Sequence, residues 1–218
     1  MLLDDRKGVQ RMKKAVYSLV LSEDVVDAVD RMAYSRGTSR SNLINQILAE
    51  AVGYVTPERR MAEILDTLAQ QMTGLYQLQE QATDGMLTIR SPLRYRYKPT
   101  IRYRVELYRQ PEQALGVLHA SFRTQIRALI EDAERFFRIW AECECAAGQC
   151  APEDYKIADG CWDRRFRIRA GTDTASDKLG AAIGQYIKRV DAALKAYFAA
   201  LPDRDAAKAA AEHCYQSG

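Results

Sequence analysis

Positive charge at alternating positions is the chemistry this sequence offers most openly. Arg94, Arg96, Lys98, Arg102 and Arg104 alternate along LRYRYKPTIRYRVELY at even residue numbers, and Arg165, Arg167 and Arg169 alternate along WDRRFRIRAG at odd residue numbers. Alternate residues of a strand share one face. These eight cations therefore gather on one side of a sheet, interrupted only by Glu106. Such a face reads as a phosphate-binding surface, a socket for an acidic protein partner, or a solvated sheet.

Other chemistry is sparse. Cys143, Cys145, Cys150 and Cys161 run as C-x-C-x4-C-x10-C. Four thiolates can close a zinc site, but structural zinc sites usually show paired C-x2-C knuckles. Cys143 also belongs to the apolar stripe of a helix, so reduced thiols are expected and no metal is assigned. His119 and His213 are the only histidines, and no glycine-rich phosphate loop occurs. Paired acids such as Glu131 and Asp132 read as exposed helix charges. No catalytic residue and no cofactor are assigned.

The basic tracts need a sheet to carry them. Leu93, Tyr95 and Tyr97 share one parity in a first strand, and Ile101, Tyr103, Val105 and Leu107 share one in a second, with a break at Lys98, Pro99 and Thr100. A helix is expected from Glu112 to Glu144 on the spacing of Leu115, Leu118, Phe122, Ile126, Leu129, Ala133, Phe136 and Trp140. Asp159 and Gly160 read as a tight hairpin turn between two further strands. A last helix, from about Ala175 to Leu201, buries Leu179, Ile183, Tyr186, Val190, Leu194 and Tyr197. The order of two strands, helix, two strands, helix predicts an α+β domain whose mainly antiparallel sheet has two helices on one face and charge on the other.

The N-terminal part has a different pattern. AVYSLVLS, residues 15 to 22, is apolar at both parities and free of charge. Ser22 then caps a helix that stops near Gly37, and Ser39 or Ser41 caps a second helix with Leu43, Ile44, Ile47, Leu48 and Ala51 on one face. A strand and two short helices cannot bury enough surface alone. A second copy is the simplest remedy, because the strand then finds its ladder partner in its own twin.

The run LVLSEDVVDAVDRMA followed by RGTSRSNLINQILAEA resembles the ribbon-helix-helix family of bacterial DNA-binding proteins, the Arc, MetJ and CopG type, over residues 13 to 54. The resemblance implies a homodimer whose paired strands enter the major groove while the second helix's N-terminus anchors a phosphate. Tyr17, Leu19 and Leu21 would then point into the dimer core, and Val16, Ser18 and Val20 would face the bases. Only Ser18 of these can hydrogen-bond a base through its side chain, so weak direct readout is expected. Thr38, Ser39, Arg40 and Ser41 fit the phosphate anchor, with Lys13 and Lys14 as flanking contacts and Arg6 and Arg11 beyond them.

After Thr56 and Pro57 a third helix places Met61, Leu65, Leu68, Met72 and Leu75 at spacings of 4, 3, 4 and 3. It reads equally as a short coiled coil or as a helix packed on the following domain. The expected division is a ribbon-helix-helix domain over 1–55, a helical connector over 56–84 and an α+β domain over 85–218. The net charge of +3 does not by itself identify a nucleic-acid binder. No stretch is long and apolar enough to span a membrane, and MLLDDRKGVQRMKK lacks the apolar core of a signal peptide. A non-enzymatic cytoplasmic protein is expected that binds DNA, as a transcriptional repressor or an accessory factor of plasmid or mobile-element DNA. The alternative is a dimeric scaffold whose ribbon only dimerises and whose second domain binds a protein.

Overall fold

The computed structural model describes residues 16, 18–74, 76–80, 85–96, 98–122, 124–168 and 175–217. The chain divides into two units, Met1–Tyr54 and Val55–Gly218. The expectations placed on Arg6, Arg11, Lys13, Lys14, Tyr17, Tyr97 and Arg169 lie outside the described residues.

In the first unit helix α1 (Glu23–Ser35) begins at Ser22, whose carbonyl accepts the Val25 and Val26 amides at 3.1 Å. Gly37 ends it. Its φ of 58° is a left-handed value that costs glycine little, and the Thr38 amide returns to the Ala33 carbonyl at 3.0 Å. Helix α2 (Arg40–Ala51) starts at once, and Ser39, not Ser41, is its cap: the Ser39 hydroxyl accepts the Asn42 amide at 3.3 Å. Among the described residues, 18–22 form no ladder within the chain. A strand needs a neighbour to pair its amides and carbonyls, and the described part of this unit contains none.

The second unit is α+β. Strands β1 (Gln77–Glu80), β2 (Met86–Pro92), β3 (Thr100–Leu107), β4 (Ala114–Phe122), β5 (Tyr155–Ala158) and β6 (Cys161–Arg167) form one antiparallel sheet in the order β1-β2-β3-β4-β6-β5. Helices α3 (Pro57–Gln71), α4 (Arg127–Ala146), α5 (Ser176–Ala200) and α6 (Arg204–Gln216) complete it. The alternation read in IRYRVEL holds: Ile101, Tyr103, Val105 and Leu107 are buried, while Arg102, Arg104 and Glu106 face the other way. The core lies between that buried face and the helices, with Phe136, Phe137 and Trp140 of α4 meeting Trp162 of β6 and Tyr197 and Phe198 of α5. Asp159 and Gly160, with φ of 52° and 71°, form the expected two-residue hairpin turn between β5 and β6.

Three expectations are corrected. The helix expected from Glu112 to Glu144 divides into β4 and α4. Gly116, Leu118 and Ala120 of β4 face the core and Val117 and His119 the other side, so a central strand with apolar residues at both parities imitates helical spacing. Gly116 also lies so close to β3 that a Cβ would sit 2.2 Å from the Glu106 carbonyl oxygen. LRYRY is not a strand: β2 ends at Pro92, which has no amide to donate, and the loop over 93–99 closes through the Leu93 amide on the Pro99 carbonyl at 3.0 Å. Finally, α3 ends at Gln71 and packs against α5, where Gly180 admits the α3 backbone; a Cβ there would stand 2.5 Å from the Ile64 carbonyl oxygen. The stretch expected as a helical connector to residue 84 thus supplies a packed helix and the edge strand β1. Helix α6 was not anticipated. No helix among the described residues is long and apolar enough to cross a membrane.

One charge pair sits inside this core. Arg164 occupies a core-facing position of β6 opposite Leu118, and its Nε donates to Glu144 Oε2 of α4 at 3.0 Å, with side chains 8% and 1% exposed. Arg164 Nη2 also donates to the Gln149 carbonyl at 2.9 Å. Burial is the largest influence on the Glu144 carboxyl and pushes its pKa up, while Arg164 and the Tyr186 hydroxyl pull the other way without offsetting it. Removing one partner of such a pair costs about 3–5 kcal/mol because a buried charge is left uncompensated. We expect Arg164→Met to destabilise by that order and Arg164→Met with Glu144→Leu to recover much of the loss. Without Arg164 the carboxyl rises further above its unfolded value, so the variant holds stability at low pH and loses it as pH rises through the raised pKa. Urea unfolding at about pH 4 and pH 8 reads this as a deficit that widens toward the higher pH.

Candidate functional site

The sheet face turned away from the helices carries the charge. Four strands set its rungs: Arg90 of β2 stands opposite Arg102 of β3, Thr88 opposite Arg104, Arg104 opposite His119 of β4, and His119 opposite Asp163 of β6. Directly opposed side chains on one face lie about 5 Å apart at Cβ, and like charges there are destabilising. Arg90 and Arg102 are such a pair. With Arg104 two residues along, three guanidinium groups converge on a groove of about 330 Å3 whose walls also include Thr88, His119, Ser121 and Asp163.

The acids of this face are engaged by the histidine. His119 Nδ1 lies 2.6 Å from Asp163 Oδ1, and Nε2 lies 3.6 Å from Glu106 Oε2. Among the described residues neither Arg102 nor Arg104 has an acidic partner. The arginines of the groove thus come from β2 and β3, while the two carboxylates flank His119, Glu106 from β3 and Asp163 from β6.

The eight cations expected on one face separate. Arg102, Arg104, Arg165 and Arg167 do stand on the open face. Arg167, however, is neutralised: its Nε donates to Asp154 and its Nη2 to Glu153 at 2.8 Å. Burial works to raise the Asp154 pKa, but the hydrogen bond from Arg167, the Ala151 amide at 2.9 Å and the charges of Arg167 and Arg164 hold that carboxyl below its usual range. Arg94, Arg96 and Lys98 are exposed on the β2–β3 loop, not on the sheet, because the strand had already ended at Pro92. Arg90 and His119 are the groove residues that sequence reasoning missed. The signal for Arg90 was Pro92, which moves the strand back onto LTIRS; His119 was hidden inside the apparent helix.

In the first unit Val16, Ser18 and Val20 are exposed, Ser39 serves as a cap, Ser41 is exposed and Thr38 is half-buried. Arg40, the cation expected at the phosphate anchor, forms an ion pair with Asp30 of α1. All five cysteines are free thiols, and among the described residues no group of three or more His, Cys, Asp or Glu side chains is placed to hold a metal ion.

If the opposed arginines repel, neutralising one should stabilise the protein. We expect Arg102→Gln to raise stability by about 0.2–1 kcal/mol at low ionic strength and to lose that advantage in high salt, where the repulsion is screened. Thermal unfolding in low and high sodium chloride measures both. A lower melting temperature at low salt would mean that Arg102 has a compensating contact. Comparison of the chain with protein-family models, with curated proteins and with solved structures returns no match, so the functional reading rests on the residues and geometry above.

Proposed function

We propose that the protein is a homodimeric, ribbon-helix-helix type DNA-binding protein acting as a regulator or as an accessory factor of mobile DNA. In this reading residues 15–22 of two copies pair as an antiparallel ribbon that lies in the major groove. The observation that carries it is the first unit's lack of a core of its own. Among its described residues only Ala33, Leu43 and Ala49 are buried apolar side chains, while Val16, Leu19, Val20, Leu21, Val25, Met32, Ile47 and Leu48 are exposed. A unit this small with so much apolar surface in water lacks the burial needed for stability, and a second copy supplies it. The 18–22 backbone, without a ladder in the single chain, is then paired by its twin.

At the start of α2, the amides not taken by Ser39 face a backbone phosphate and the helix dipole favours the anion there. Val16, Ser18 and Val20 face base edges, with the valines suited to thymine methyls, so affinity comes mainly from phosphate contacts. A second reading, a scaffold whose ribbon only dimerises, draws on the Arg40–Asp30 ion pair, which already engages the anchor's cation.

Leu19→Asp would place a charge in the ribbon core of each copy, and we expect it to abolish the dimer in light scattering and to melt α1 and α2 in circular dichroism. A folded dimer of that variant would overturn the ribbon. For DNA, the protein is expected to be retained on nonspecific duplex at low salt. Arg40→Ala should weaken all sequences alike and flatten the slope of log affinity against log salt by about 0.9 per lost phosphate contact. Retention unchanged by Arg40→Ala would remove Arg40 from the anchor; no retention at low salt would favour the scaffold.

A further inference from the structure

We propose that the open sheet face of the second unit is a docking surface for the phosphate backbone of double-stranded DNA, contacted by Arg102 and Arg104 of β3 and Arg165 of β6. This goes beyond the ribbon reading and concerns residues of the second unit alone. The case begins with how the arginines of β6 differ. Arg167 is met by Asp154 and Glu153, whereas Arg165, two residues earlier on the same face, has no acidic partner among the described residues. The same holds for Arg102 and Arg104. Glu106 and Asp163, the carboxylates described on this face, stand between Arg104 and Arg165, and both lie against His119. Three arginines on a face that no described helix covers thus keep their charge for a partner outside the unit.

The spacing favours a polyanion over a small anion. Arg165 stands level with Val117 of β4 and, through it, with Glu106 of β3. It is therefore displaced from Arg102 by roughly 13 Å along the strands and roughly 10 Å across them. No single phosphate spans that, but a duplex carries one charge per roughly 1.7 Å of its axis. The cations also continue past the strand ends. Leu93 is buried and the Tyr95 ring packs edge-on against Phe198 of α5 at 5.1 Å, which fixes the β2–β3 loop. Arg94, Arg96 and Lys98 remain exposed on it without acidic partners among the described residues. The face also lacks what single strands require. Among the described strand residues no aromatic ring except the His119 imidazole projects from it, so bases have nothing to stack on. Contact is left to guanidinium groups, whose forks match paired phosphate oxygens and which stay charged at any ordinary pH.

Fluorescence anisotropy of the full chain on a short mixed-sequence duplex, over a series of potassium chloride concentrations, provides the test. The variant carrying Arg102→Gln, Arg104→Gln and Arg165→Gln should flatten the slope of log affinity against log salt by nearly 3, at about 0.9 per lost phosphate contact. Its circular dichroism should be unchanged, because exposed sheet charges contribute little to the fold. Lys208→Gln, which removes the same charge from α6, should leave the slope as it is. Arg40→Ala, measured beside them, separates this surface from the ribbon: a slope flattened by the triple variant and not by Arg40→Ala supports the proposal while removing Arg40 from the anchor. An unchanged slope in the triple variant, an equal change in Lys208→Gln, or no binding of the unaltered chain to duplex at low salt overturns the proposal. Polyglutamate bound through Arg102, Arg104 and Arg165 while the duplex is not would overturn it in favour of an acidic protein partner.

Discussion

Strand β3 has only one register compatible with burial, and the chemistry of the second unit depends on it. Tyr103 lies at its centre, fully buried, and its hydroxyl donates to Asp191 Oδ1 of α5 at 3.1 Å. Asp191 also accepts from Tyr76 at 3.0 Å and from Lys195 at 2.6 Å, so a buried carboxylate has partners from three directions. Burial and the charge of Asp191 hold the Tyr103 hydroxyl protonated, keeping it a donor. A slip of one residue would expose Tyr103, leave Asp191 Oδ1 without that donor and drive Arg102 and Arg104 into the core. The interior hydrogen bond and the exterior arginines are two consequences of one parity.

The ionic interactions divide by which side of the sheet they occupy. On the helix side, Arg164 is matched to Glu144 and to backbone carbonyls, as a charge must be when water is excluded. At the rim, Arg167 is matched to Asp154 and Glu153. On the open side, Arg102 and Arg104 have no acidic partner among the described residues. Water screens those two, so the fold tolerates them, but screening does not explain why three arginines share adjacent rungs. Local choices that conflict with stability are expected where a site is served rather than the fold.

The first unit presents the same logic in apolar form. Helix α2 has the Ser39 cap and α1 the Gly37 stop, although the Ser22 hydroxyl makes no capping hydrogen bond, yet only one large side chain among the unit's described residues, Leu43, is fully buried. Good local signals without a core describe an element whose stability comes from association. The second unit has no such need, since the cluster of aromatic and aliphatic residues between the sheet and its helices gives it a core of its own.

Much of this was legible in the chain itself. The parity of IRYRVEL, the Asp159–Gly160 turn, the Gly37 stop and the stripe of α5 follow from rules that act over a few residues, and these elements formed where expected. Pro92 carries its own signal, since without an amide it ends a strand, but the regular alternation of LRYRY after it imitates a strand's continuation. Residues 114–122 were not decidable locally. A strand flanked by strands on both edges can be apolar at both parities, and its pattern then overlaps that of a helix. Only the tertiary structure put His119 between Arg104 and Asp163, by pairing β4 with both β3 and β6, and set Arg90 against Arg102, by pairing β2 with β3. Sequence alone determined which residues carry charge and which face of each clear strand they occupy. Which strands lie side by side, and hence which charges meet, is set by contacts between residues far apart in the chain, where local periodicity holds no information.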